Sequence, residues 1–249
     1  MAKSEPAKLQ AENARLAAEN ARLQAALAKA EGSRSFDIRT PADALEELKQ
    51  GNLRFVEGRR TRTVFPAQDP GLRESLAKGQ SPFAVIVTCS DSRLMDNFIF
   101  DQELGRLFTI REAGNCPDLQ GIASVEYAVE HLGSKVVVVL GHTFCGAVKA
   151  VAEAHGKPLP GNLWSLQAAM VGLLESVPED PNVEPAEHMR ELERVNTLRQ
   201  AQSLLARSEI LRELVEKGKV RVLPALYDLS SGKVTVLDLP AAKASTSHH

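Results

Sequence analysis

Three kinds of hydrophobic pattern follow one another along the chain. Near its start, AENARLA (11–17) runs directly into AENARLQ (18–24), a seven-residue repeat. The repeat sets Leu9, Leu16 and Leu23 at d positions and Asn13, Asn20 and Leu27 at a, with Glu12 and Glu19 at g. That spacing predicts an N-terminal helix that pairs as a parallel coiled coil, the buried asparagines fixing register and strand number. Three heptads are marginal alone, so a solvated single helix or a frayed tail is the competing reading. Gly32-Ser33 closes the segment.

The second pattern is a helix over TPADALEELKQGNLRFVEG (40–58), with Thr40 as N-cap, Pro41 at N1 and acidic Asp43 and Glu46 in its first turns. The third is an alternation. FAVIVTC (83–89), LFTI (107–110) and KVVVVLG (135–141) are short, unbroken apolar runs, and between the last two lies GIASVEYAVEHLG (121–133), an amphipathic helix ended by Gly133. Helical patterns follow from Cys145 to His155, near 161–175 and over 184–217; two strands around Ser231-Gly232 end the series. Runs that are apolar at every position, rather than at alternate ones, mean burial on both faces. Interleaved with helices, they predict an α/β fold: an open sheet with a parallel core flanked by helices, spanning residues 33–240. Residues 1–32 form the heptad segment before it. Residues 241–249 are expected to be a disordered tail, its last residues compatible with a tag remnant.

Composition narrows the partners. The chain has 249 residues and a net charge of −2, with 43% hydrophobic and 25% charged residues. No strong field points to nucleic acid or an anionic membrane surface, and no apolar run reaches the roughly 18 residues needed to span a bilayer. Cys89, Cys116 and Cys145, an odd number, make no disulfide framework, and a reducing, cytoplasmic location is the expectation. A periplasmic or secreted location would follow if a signal had been removed.

The chemistry gathers where two apolar runs end. VIVTCSDSR (85–93) finishes on Cys89, Asp91 and Arg93; VVVVLGHTFCGAV (136–148) breaks into His142 and Cys145. Neighbouring parallel strands would bring all of these to the carboxyl edge of the sheet, where open α/β sheets bind ligands. Two thiolates and one imidazole make a tetrahedral zinc site with one position left over, to be taken by water or by Asp91. A lone buried cysteine is more often a small hydrophobe, and Cys116 is read as structural or free. If the chain stays extended, Asp91 and Arg93 share a face, and the guanidinium would keep the carboxylate ionised and oriented. Gly141 and Gly146 would let the backbone turn tightly about the ion.

Together, CSDSR (89–93), LGRLFTIREAGN (104–115), SVEYAV (124–129) and GHTFCGAV (141–148) resemble the β-class carbonic anhydrases, a likeness extended by NLRFVEG (52–58), LAKGQSP (76–82) and ALYDLSSGKV (225–234). It covers about 40–238 and leaves the heptads out. The resemblance implies a zinc enzyme that interconverts carbon dioxide and bicarbonate, built as a homodimer or a tetramer of dimers. It makes Cys89, His142 and Cys145 the zinc ligands and Asp91 with Arg93 the catalytic dyad, Asp91 either orienting the zinc-bound water or ligating zinc in an inactive form. It assigns Gln80, Phe108, Tyr127 and Gly146 to substrate, Gln80 often acting across the dimer interface. Arg106 and Glu112 depart from the family's usual residues. His131 and His155 qualify as proton carriers by residue type alone. Two other readings share the pattern: hydrolysis of carbon disulfide or carbonyl sulfide on the same fold, and a catalytically silent zinc scaffold whose coiled coil recruits partners.

Overall fold

The continuous apolar runs become the centre of a five-stranded sheet. In the computed structural model, residues 9–19, 22, 38–61 and 70–239 are described. The strands are β1 (Ala84–Thr88), β2 (Leu107–Arg111), β3 (Val136–His142), β4 (Arg221–Tyr227) and β5 (Val234–Val236). Their order is β2-β1-β3-β4-β5, parallel throughout except for β5, which pairs antiparallel with β4. Every residue of β1 and β3 is buried, as expected of strands covered on both faces. The predicted open sheet with a parallel core is present.

Alternate residues of these strands enter opposite clusters. Ala84, Ile86, Val136, Val138 and Leu140 join one, with Cys89 and Cys145. Val85, Val87, Val137 and Val139 join the other. Helices cover both. In chain order they are α1 (residues 9–19), α2 (Pro41–Val56), α3 (Pro70–Leu76), α4 (Asp96–Ile99), α5 (Leu119–Glu130), α6 (Gly146–Glu153), α7 (Trp164–Ala169), α8 (Leu173–Ser176), α9 (Pro185–Arg207) and α10 (Glu209–Glu216). Helix α9 spans the two clusters: Leu192 belongs to the first, Ala201 and Leu204 to the second.

A local signal placed the start of α2. Thr40 caps α2 in a reciprocal box with Asp43, Oγ1 accepting the Asp43 N–H at 3.2 Å while Asp43 accepts the Thr40 N–H at 2.9 Å. Two expected helices are divided. The stretch near 161–175 is a 3₁₀ turn followed by α7 and α8, broken at Gly172 with φ 73°. The stretch 184–217 breaks at Ser208, whose extended backbone ends α9 and whose hydroxyl caps α10 by accepting the Leu211 N–H at 3.1 Å. A serine inside a helical pattern competes for backbone hydrogen bonds in this way.

The heptad prediction is met as far as helix. Residues 9–19 are helical and exposed along their whole length, Leu9 at 58% and Leu16 at 51%. Asn20, Leu23 and Leu27 lie outside the described residues, as do 240–249. No described helix is long and apolar enough to cross a membrane.

Candidate metal centre

Register brings the two polar strand ends together. Thr88 lies opposite Leu140, so Cys89 emerges just beyond β1 beside Gly141 and His142 at the end of β3. One ligand atom from each of Cys89, His142 and Cys145 lies within 4.8 Å of the others, and all three residues are buried.

Each donor is aimed by a neighbour. The His142 Nδ1 is 2.9 Å from the Thr143 carbonyl oxygen, which can only accept. Nδ1 therefore carries the proton, and Nε2 presents its lone pair to the cluster. That Nε2 is buried without a hydrogen-bond partner, a cost that a cation would remove. The Cys89 Sγ accepts the Gly114 N–H at 3.3 Å. Cys145 is the N-cap of α6, its backbone N–H donating to Glu193 Oε1 at 2.8 Å. A hydrogen bond from Cys145 draws the Cys89 thiol below the ordinary range, and the same bond pushes Cys145 up. Burial draws the His142 imidazolium down, but the adjacent Cys89 sulfur leaves it raised overall. Two soft sulfurs and a neutral imidazole fit zinc. Cys116 stands apart; burial pushes its thiol up to about 12, and it donates to the Gly114 carbonyl at 3.2 Å.

Asp91 and Arg93 meet through a turn rather than along an extended strand. The Asp91 Oδ1 accepts the Arg93 backbone N–H at 3.0 Å and Nε at 2.9 Å, and Oδ2 accepts Nη2 at 2.6 Å. This two-point pairing holds the carboxyl well below the usual range despite partial burial. In this arrangement Asp91 is engaged by arginine, and its carboxylate is not in the Cys–His–Cys group. Arg93 Nη2 also donates to the Phe144 carbonyl at 3.1 Å, tying the first loop to the second. Phe144 has φ 58°, a conformation that costs a non-glycine residue energy and that is found mainly where function holds it.

The glycines act differently from expectation. Gly141 makes no turn. It lies within β3, where an added Cβ would fall 1.8 Å from Thr197 Oγ1 of α9. Gly146 opens α6, and a Cβ there would meet nothing within 4 Å. Its exposed backbone adjoins Cys145.

Three of the expected substrate residues do not join the cluster within one chain. Phe108 pairs with Val85, four residues before Cys89 and so roughly 13 Å back along the strand. Its ring lies 6.4 Å from that of half-exposed Tyr127, which lies 5.3 Å from His131. Gln80 is exposed in the loop entering the amino end of β1. His131 and His155 are exposed beside Glu130 and Glu179. Arg106 stacks over Phe83, and Glu112 accepts the Asp118 N–H at 2.8 Å ahead of α5.

A model of the family described as "Carbonic anhydrase" matches residues 84–234, well over half of the chain. The chain belongs to the β-carbonic anhydrase family. It is 36% identical over 206 residues to "Carbonic anhydrase 2" of Mycobacterium tuberculosis, covering 80% of this chain and 93% of that protein. Among solved structures, the β-carbonic anhydrase CafA of Aspergillus fumigatus is 32% identical, with a TM-score of 0.62 over 70% of this chain and 84% of that one. One of two tetrameric β-carbonic anhydrases of Sordaria macrospora is 25% identical, with a TM-score of 0.63 over 69% and 88%. The family match contains Cys89, Asp91, Arg93, His142 and Cys145; Gln80 and the heptads lie before it.

Sequence reasoning missed the groups that hold these loops. Arg111 donates from Nε to the Cys89 carbonyl at 3.3 Å and from Nη2 to the Asp91 carbonyl at 2.6 Å. Behind it lies buried Asp96, whose carboxyl burial pushes up to about 6 against the pull of Arg111 and Thr109. Glu193 of α9 accepts the Cys145 N–H at 2.8 Å. The only signals were an arginine ending an apolar run and an acid inside a long polar helix.

Proposed function

We propose that this chain is a zinc enzyme that hydrates carbon dioxide to bicarbonate and a proton, and runs the reverse reaction. The observation that carries the proposal is the meeting of two thiols and an unpartnered imidazole Nε2 within 4.8 Å, in a chain of this family. Cys89, His142 and Cys145 would hold the ion. Zinc, when bound, supplies a Lewis acid that makes water nucleophilic near neutral pH.

The chain's own groups then divide the work. Asp91, kept ionised and fixed in direction by Arg93, accepts a hydrogen bond from the attacking water and orients its lone pair. The Gly146 N–H, unobstructed by a side chain, faces charge that grows on a substrate oxygen. Gln80, Phe108 and Tyr127 act in the site of a second copy, since they are displaced from the cluster within one chain. Tetrameric relatives such as that of Sordaria macrospora support a homo-oligomer. A cytoplasmic location belongs to the same proposal, resting on the three free cysteines.

The test is carbon dioxide hydration by the purified full chain, before and after zinc removal and after zinc return, beside Asp91→Ala. Activity should vanish with the metal and return with it. Asp91→Ala should keep one zinc per chain yet lose about a hundredfold in rate, because it disorders the nucleophile. Hydration indifferent to zinc, or parental in Asp91→Ala, would overturn the assignment.

A further inference from the structure

Helix α9 carries Glu193, Asn196, Thr197 and Gln200 at i, i+3, i+4 and i+7, one face of the helix. None is more than 5% exposed. Burying a polar row is costly unless its members are bonded, and the bonds lead to the Cys145 loop and to the turn after β2 that touches the Cys89 sulfur. Glu193 Oε1 accepts the Cys145 N–H at 2.8 Å. Asn196 Nδ2 donates to the Gly114 carbonyl at 2.9 Å, and the Gly114 N–H donates to Cys89 Sγ at 3.3 Å. Thr197 Oγ1 donates to the Glu193 carbonyl at 2.8 Å and fills the space left by Gly141. Gln200 Nε2 donates to Asn196 Oδ1 at 3.2 Å and to the Ala169 carbonyl at 3.0 Å, locking the row from behind.

We propose that Glu193 and Asn196 are positioning residues of the metal centre, fixing the two sulfurs at ligating separation before the ion arrives. One helix face thereby sets both cysteine loops in a common frame, although Cys89 and Cys145 come from different strands. Glu193 acts on the backbone of a ligand; Asn196 acts one residue removed, through the amide that points at the other sulfur. The inference rests on the zinc reading above. Outer partners of ligands typically account for 10- to 100-fold in metal affinity.

The test is zinc affinity by competition with a chromophoric chelator, together with the thiolate-to-cobalt charge-transfer bands of the Co(II) form. It uses the parent, Glu193→Ala, Glu193→Gln, Glu193→Asp, Asn196→Ala and Cys145→Ser. Glu193→Ala, Glu193→Asp and Asn196→Ala should each bind zinc about 10- to 100-fold more weakly and shift the cobalt bands. Glu193→Gln keeps an acceptor oxygen at full reach and should return both readouts to parental values. Should Glu193→Ala not fold, the Asp and Gln variants decide. Parental affinity and spectrum in Glu193→Asp and Asn196→Ala, or a Gln variant as weak as Asp, would overturn the inference. Cys145→Ser separates the two readings: if it loses zinc while the α9 variants keep it, only this inference falls. If Cys145→Ser itself keeps full zinc affinity, the zinc reading falls.

Discussion

The two loops that meet at the metal centre are held by opposite charges. The loop after β1 offers carbonyl oxygens, and a cation grips them: Arg111 donates to the Cys89 and Asp91 carbonyls, with Asp96 behind it. The loop after β3 offers an N–H group, and a carboxylate grips it: Glu193 accepts from Cys145 at 2.8 Å. The difference follows from chain direction. Cys89 leaves a strand with its carbonyls still pointing sideways. Cys145 stands before a helix, where the first N–H groups have no intrahelical acceptor. The first brace comes from the adjacent strand β2, 22 residues away; the second comes from α9, 48 residues away. Arg93 joins the loops through the Phe144 carbonyl, so displacement of either is felt by the dyad.

The largest test of this contrast is steric. Gly141→Ala would put a Cβ 1.8 Å from Thr197 Oγ1, which is itself bonded to the Glu193 carbonyl. Overpacking of this kind costs about 1–3 kcal/mol. We expect a melting temperature lower by several degrees and weaker zinc binding, with much of the loss recovered by pairing it with Thr197→Ala. An unchanged melting curve for Gly141→Ala would mean that α9 does not press on the second loop.

A smaller effect sharpens the first loop. Burial raises Asp96 from 3.8 to about 6, so between these values the folded protein holds a proton that the unfolded chain has released. This group's contribution is therefore full below about pH 4 and is lost as pH rises through about 6. Asp96→Asn should match the parent's melting temperature near pH 4 and gain on it progressively toward pH 7. A difference that stays constant across melting curves from pH 4 to 8 would show that Arg111 fully compensates the buried charge. The smallest effect is expected at the heptads, which lie before the family match. Deleting residues 1–32 should leave zinc content and hydration unchanged but lower the order or thermal stability of the oligomer, as read by light scattering and melting. We propose this role for the heptads on their Leu and Asn spacing; identical scattering and melting would make them a passive tail.

Much of the site was legible because its residues sit where apolar runs break. Cys89 follows β1 at once, His142 ends β3 and Cys145 lies three residues on, and parallel pairing leaves them little freedom to be anywhere but one edge. Asp91 and Arg93 were legible as a pair, though the turn that joins them was not. That Phe108 and Tyr127 stand away from the cluster of their own chain was not legible, since register alone sets Phe108 back along β2. Gly141 was read as room for a turn, whereas it makes room for a helix.

The chain by itself determined what short-range pattern can determine. It set the buried strands through their unbroken β-branched runs, the start of α2 through its capping box, and the metal-capable Cys–His–Cys group through its place at the strand ends. Only the tertiary structure decided what holds those donors. Glu193, Asn196, Thr197 and Gln200 have the spacing of a solvated helix face, and nothing within α9 distinguishes water from a metal site as what that face meets. The choice is made by the packing of α9 on Gly141 and by loops from three other parts of the chain, whose unpaired N–H and C=O groups a polar row can satisfy and an apolar one cannot.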